Sequence, residues 1–185
     1  MYEQFKARAE GVSAEVYRYS TQAEAAEFII RFLQQAGVSD TPGNGALWAD
    51  CPFLDGIERK RLEAVPGLTF DVTRERAADA LIGISQVTWA LADTGTVVQD
   101  STAIEQRLVS SLSTIHIAIA PTAGLLADMP ALLTRMKPSR SAYIAMITGP
   151  SRTADIERVL TIGVHGPSRL VIIFVDELEV QTDEN

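Results

Sequence analysis

The segment Thr148-Gly149-Pro150-Ser151-Arg152-Thr153-Ala154-Asp155-Ile156-Glu157 gathers the groups that an anion site needs. It follows the apolar run 142–148, and residues 154–160 read as a helix. Gly149 lets backbone approach a ligand closely, and Pro150 fixes the turn. Ser151 and Thr153 supply hydroxyls. Arg152 supplies a planar cation that matches a carboxylate or phosphate with two hydrogen bonds. Amides at a helix N-terminus favour negative charge. The same residues also read as a well-capped helix start, with Ser151 or Thr153 as N-cap and Asp155 and Glu157 answering the helix dipole. The spacing is not that of a Walker A loop.

A second polar turn, Ala92-Asp93-Thr94-Gly95-Thr96, lies between the β-like runs 90–92 and 97–99. It offers a carboxylate, two hydroxyls and a glycine free to take positive φ. It reads as a ligand-facing turn or as a plain tight turn. In Gly163-Val164-His165-Gly166-Pro167, His165 is either a general acid/base or a cation near a helix C-terminus. His116 stands in an apolar run and reads as a core histidine holding a hydrogen bond. Cys51 follows Ala49-Asp50 and precedes Pro52, with no neighbour that lowers its pKa, so it reads as an inert thiol. Asp50, at the same strand end, is a candidate pocket carboxylate. Trp48 and Trp89 read as core, and Asp55 and Glu58 as solvated. No G-x-S-x-G, H-E-x-x-H or G-x-G-x-x-G pattern occurs.

These groups must be positioned by the rest of the chain. Residues 1–10 read as a short helix and 14–19 as β-leaning. Residues 21–36 form the clearest helix: Ala25, Phe28, Ile29, Phe32 and Leu33 share one face, Thr21 with Glu24 makes a capping box, and Gly37 stops it. Strands are expected at 46–49, 68–72 and 81–84, and short helices at 56–65 and 74–80. The runs 113–120, 142–148 and 170–175 are apolar on both parities, apart from His116, and read as strands buried on both faces. A helix is expected from about Gly124 to Met136, kinked or interrupted at Pro130. The polar tail 177–185 is expected to fray. Strands alternating with helices predict one α/β domain with a largely parallel sheet between helices. Ligands in such sheets bind beyond the carboxyl ends of the strands, and both polar loops read as lying there.

Composition narrows the function. The 185 residues carry 16 basic and 24 acidic side chains, a formal net charge of −8. That acidity argues against a nucleic-acid binder, which needs a basic face. It also opposes any anionic ligand, so local amides and Arg152 would have to hold one. One cysteine and two histidines exclude an internal disulfide and any self-contained cysteine-ligated zinc or iron–sulfur site. No apolar run approaches the ~20 residues of a spanning helix, and residues 1–10 carry no export signal. A soluble cytoplasmic protein is the expectation.

The block Ile84-Ser85-Gln86-Val87-Thr88-Trp89-Ala90-Leu91-Ala92-Asp93-Thr94-Gly95-Thr96, the strand 113–121, the G-P-S-R-T-A-D-I-E segment and the G-V-H-G-P exit stand in an order that resembles the LUD-domain family, and within it the lactate-utilisation protein C subgroup. The likeness covers about 80–175; the first half matches in element pattern alone. Family members often have longer N-terminal regions. The resemblance implies a three-layer α/β/α sandwich like the NagB/RpiA/CoA-transferase superfamily. It implies a part in oxidising L-lactate to pyruvate beside partner proteins that carry iron–sulfur centres. A chain with one cysteine would be the component without a cluster. The site residues it points to are Asp93, Glu157 and His165 for catalysis, and Thr94, Gly95, Thr96, Gly149, Ser151, Arg152, Thr153 and Asp155 for a small anionic ligand. The alternatives are a stand-alone enzyme on a phosphosugar, CoA thioester or folate-type substrate, with Asp93, Asp155 or Glu157 as nucleophile, and a non-catalytic scaffold.

Overall fold

A computed structural model describes residues 1–136, 141–154, 160–162 and 166–180. Two apolar runs build its centre: β7 (Ile115–Pro121) is buried along its whole length, and β12 (Arg169–Val175) at every residue but the first. With β1 (Glu15–Tyr19), β2 (Ala46–Trp48), β3 (Leu68–Thr69) and β4 (Ile82–Gln86) they form a six-stranded sheet ordered β1-β12-β7-β4-β2-β3. Every pairing in it is parallel. Parallel pairing requires crossovers that cover both faces, which is why these strands are apolar on both parities.

One face, carrying Trp48, Ile84, Ile117, Ile119 and Ile173, packs under α2 (Gln22–Gln35) and α3 (Arg59–Glu63) through Ile29, Leu33 and Leu62. Burying Ile29 and Leu33 completely contributes about 1.5–3 kcal/mol each. The capping box of α2 is present: Glu24 N donates to Thr21 Oγ1 at 3.2 Å, and Thr21 N to the Glu24 carboxylate at 3.1 Å. The other face, carrying Ala118, Ala120, Ile172 and Phe174, packs against Phe5 and Ala9 of α1 (Tyr2–Gly11). Further along, Ala77 of α4 (Arg74–Asp79) and Val109 of α5 (Ile104–Ser111) cover Leu47 and Ala49.

The α/β expectation holds, but the second covering layer is partly a sheet. β5 (Trp89–Leu91), β6 (Thr96–Asp100), β8 (Leu125–Leu126) and β9 (Ile144–Ile147) form a four-stranded sheet ordered β8-β5-β6-β9. Its inner residues Ala90, Ala92 and Val97 join the α1 core. Its outer residues Trp89, Leu91, Val98 and Leu126 are covered by Leu132 of α6 (Met129–Arg135).

Four expectations change. The run 142–148 is not a strand buried on both faces; β9 lies at an edge of the smaller sheet, antiparallel to β6, with Met146 46% exposed. Pro130 does not interrupt a helix, because it sits in the first turn of α6, where its missing N–H costs nothing. The expected helix over 154–160 is contradicted at both ends: β10 (Arg152–Ala154) pairs antiparallel with β11 (Leu160–Ile162). Residues 155–159 lie outside the described residues. In the tail, Leu178 is buried in the α2-side core rather than frayed.

Candidate functional site

Among the described residues, two gatherings of polar side chains lie at opposite ends of the larger sheet and bear on the expected site. The first collects the two expected loops. Thr96 Oγ1 donates to Thr94 Oγ1 at 2.8 Å and lies 2.8 Å from Thr148 Oγ1. These three hydroxyls carry three protons for two mutual hydrogen bonds, so at least one donor remains for a ligand. Gly95 adopts φ +70°, and a Cβ there would lie 2.4 Å from Ala9 N of α1. Gly149 adopts φ +71°, and its Cβ would lie 2.5 Å from the Val12 carbonyl oxygen. The Arg152 guanidinium donates to that same carbonyl, and to Ser13 Oγ at 3.1 Å. Ser151 N donates to Pro167 O at 2.8 Å.

The structure thus brings Thr94, Gly95, Thr96, Gly149, Ser151 and Arg152 around the end of α1, but not where the sequence placed them. α1 leads into the amino end of β1, and Pro167 precedes β12, so the cluster lies at the amino ends of the parallel strands, not at their carboxyl ends. The helix N-terminus is replaced by β10. In its place stands the C-terminus of α1, whose carbonyls favour a cation, and Arg152 meets that preference. Asp93 and Thr94 are exposed beside it. Thr153 lies on β10 in register with Thr161. Asp155, Glu157 and His165 lie outside the described residues.

The second place is at the carboxyl ends. After β2 the chain passes through a 3-10 turn, Pro52–Gly56, and α3, on the α2 face. After β4, the neighbour of β2, it passes through β5, β6 and α5 on the opposite face. Adjacent strands that send their chains to opposite faces leave a crevice between them, the usual ligand position in such sheets. A cavity of about 150 Å³ opens there. Asp50, Cys51 and Pro52 line it from β2, Gln86, Val87 and Thr88 from β4, and Asp100 and Gln106 from the far side.

Burial pushes the Cys51 thiol up to about 11, so it is a neutral wall group and not a nucleophile. Burial works to raise the Asp100 carboxyl, but hydrogen bonds from Thr102 and Ser141 outweigh it and hold the group below its ordinary range. Behind the cavity runs a polar chain, buried at its Gln99, Ser85 and His116 end. Gln106 Nε2 donates to Asp50 O at 2.9 Å, and Gln99 Nε2 donates to Gln106 O at 2.9 Å. Ser85 Oγ donates to Gln99 Oε1 at 3.3 Å and lies 2.7 Å from His116 Nε2. If Ser85 donates to Gln99, His116 donates from Nε2, and the unpartnered Nδ1 is a bare acceptor. Complete burial lowers His116 to about 4, so it is neutral.

Sequence reasoning reached Asp50 here and missed Gln86, Thr88, Asp100 and Gln106. A usable signal was Ser85, Gln99 and His116 beside apolar residues within strands, since buried polar groups need partners.

Comparison with known proteins agrees with this architecture. A crystal structure of a DUF162 family protein from Deinococcus radiodurans superimposes with a TM-score of 0.62, covering 94% of this chain and 95% of that one at 18% identity, which shows a shared fold. Lactate utilization protein C of Halalkalibacterium halodurans is 37% identical over 128 residues, 65% of this chain and 55% of that protein. The protein of the same name from Macrococcus caseolyticus is 34% identical over 149 residues, 73% and 63% of the two chains. The chain therefore spans about half to two thirds of the length of these curated relatives. A family model described as LUD domain matches residues 2–175, from the start of α1 to the end of β12, and the chain belongs to the LUD domain family.

Proposed function

We propose that this chain serves lactate utilisation, as the component without a metal cluster in a system that oxidises L-lactate to pyruvate. The supporting observation is its relationship to proteins named lactate utilization protein C, which extends over 149 residues in one of them. With one cysteine, the chain leaves cluster ligation and electron transfer to iron–sulfur partner proteins. Its own part is to hold a small carboxylate at the end of α1. There Arg152, anchored through one guanidinium nitrogen, pairs with the anion, and the Thr94, Thr96 and Thr148 hydroxyls orient it. Arg152 also offsets the negative end of α1, which would otherwise repel an anion.

The test is growth on L-lactate of a host in which this gene is deleted and then restored. Restoring the natural chain is expected to rescue growth. Arg152→Ala is expected to fail while keeping the natural circular dichroism spectrum and an unfolding free energy within about 1 kcal/mol of the natural chain, as for a surface arginine. Lactate growth that survives the deletion would refute the assigned pathway, and full rescue by Arg152→Ala would refute the assigned site. Turnover of CoA esters or sugar phosphates by the purified chain alone would favour a stand-alone enzyme instead.

A further inference from the structure

The crevice between β2 and β4 differs in chemistry from the cluster at the end of α1. Its fixed charges are carboxylates. Asp50 stands at the mouth, its side chain 88% exposed, and the nearest cation, Arg59, lies 3.8 Å away and is shared with Glu63 at 3.9 Å. Asp100 lines the cavity, and its carboxylate is fixed at the rim by Thr102 N at 2.9 Å and Ser141 Oγ at 2.7 Å. The nearby backbone donors are already used: Val87 N bonds Ile119 O at 2.8 Å, and Thr88 N bonds Val98 O at 3.0 Å. The Gln106 amide nitrogen is committed to Asp50 O, and Phe53 N fixes Gln86 through its Oε1 at 2.9 Å. The wall therefore offers its carboxylates, the Thr88 hydroxyl and the Gln86 amide nitrogen, with no cationic side chain among its lining residues. A volume of about 150 Å³ admits several waters or a small organic molecule.

We infer that this crevice is a second ligand site, separate from Arg152, and that it takes a small organic ammonium compound, the cationic nitrogen pairing with Asp100 at the mouth and a hydroxyl reaching Thr88 within. The two acidic side chains oppose a carboxylate ligand, so lactate and pyruvate are not expected to bind there. The polar chain through Gln99 and Gln106 holds the inner wall in one orientation, which prepares the site before the ligand arrives.

The experiment titrates ethanolamine, glycerol and sodium L-lactate separately into the isotope-labelled full chain and follows backbone amide resonances. Ethanolamine is expected to shift Thr88, Asp100 and Gln106 saturably, and to do so less at high salt. Glycerol tests whether hydroxyls alone suffice, and L-lactate is expected to leave these three amides unmoved. Asp100→Asn keeps an acceptor for Thr102 N but removes the charge, and should weaken ethanolamine binding about tenfold or more, the loss of one charge-assisted hydrogen bond. Ethanolamine producing no saturable shift at these amides would overturn the inference, as would equal binding by Asp100→Asn or saturable shifts there from L-lactate. Should Asp100→Asn fail to fold, Thr88→Val decides: unchanged ethanolamine affinity in that variant overturns the inference too. Because L-lactate is expected to act on Thr94 and Thr148 instead, failure in the crevice and failure of the Arg152 site are read from different resonances.

Discussion

Replacing Gly95 by alanine separates what the D-T-G-T turn does for the fold from what it does for a ligand. The residue has φ +70°, where an L side chain costs about 1–2 kcal/mol. The added Cβ would lie 2.4 Å from Ala9 N, 2.7 Å from Ala9 Cα and 2.8 Å from Arg8 C. All three are backbone atoms of α1, so no rotamer change relieves them, and the helix must retreat. Its anchors Phe5 and Ala9 are fully buried, and overpacking of this kind costs a further ~1–3 kcal/mol. The total is about 2–5 kcal/mol. With a urea slope of about 2 kcal/mol/M, the midpoint should fall by about 1–2.5 M. Gly11→Ala is the control: nothing lies within 4 Å of its Cβ, and alanine in a helix is expected to be neutral or to gain up to ~1 kcal/mol. Equilibrium urea denaturation followed by circular dichroism makes the measurement. A Gly95→Ala midpoint within about 0.3 M of the natural chain would refute the claim that this glycine exists to let α1 approach the turn.

Two further outcomes follow from burial. His116 is lowered from 6.5 to about 4, so the unfolded chain takes up its proton first as pH falls. Its contribution to stability is complete above about pH 6.5 and declines by about 3 kcal/mol on the way to pH 4. The His116 ring resonances should stay at their neutral positions from pH 8 to pH 5, and titration near 6.5 would refute the buried placement. Cys51 is raised from 9.0 to about 11, which leaves it about a hundredfold less thiolate at pH 8. A thiol reagent should therefore label the native chain at least ~100-fold more slowly than the chain in urea, and equal rates would place the thiol at the surface.

The sequence carried the elements whose signals are local. Thr21 and Glu24 announce α2 through the capping box, and the unbroken apolar runs of β7 and β12 announce strands covered on both sides. Where two structures share one local signal, the sequence could not choose. Ser151, Thr153, Asp155 and Glu157 form a sound helix start, yet Arg152–Ala154 joins a ladder with Leu160–Ile162, because long-range pairing overrides local preference. The apolar run of β9 looked like the centre of a sheet and lies at an edge. α5 passed unnoticed because its N-cap, Ala103, offers no side-chain hydrogen bond. The motif residues were legible as a group, since Thr94, Thr96, Gly149 and Arg152 do converge. Their end of the sheet was not, because it depends on where the second sheet docks. The crevice residues come from three separate strand ends and a helix, a conjunction that spacing along the chain does not encode.

The Ser85–His116–Gln99 chain also settles how the two sheets align. Inner and outer residues alternate along β6, so a slip of two residues would keep apolar side chains inward and bring Val97 to the place of Gln99. Apolar packing alone would tolerate that shift poorly but not forbid it. With the chain in place, the slip would carry Gln99 away from Ser85 and Gln106 and leave its buried amide unpaired, at about 1–3 kcal/mol. The polar atoms between the layers therefore act as an index mark. They fix the one alignment in which Thr96 meets Thr148 at one end of β6 while Asp100 faces the crevice at the other.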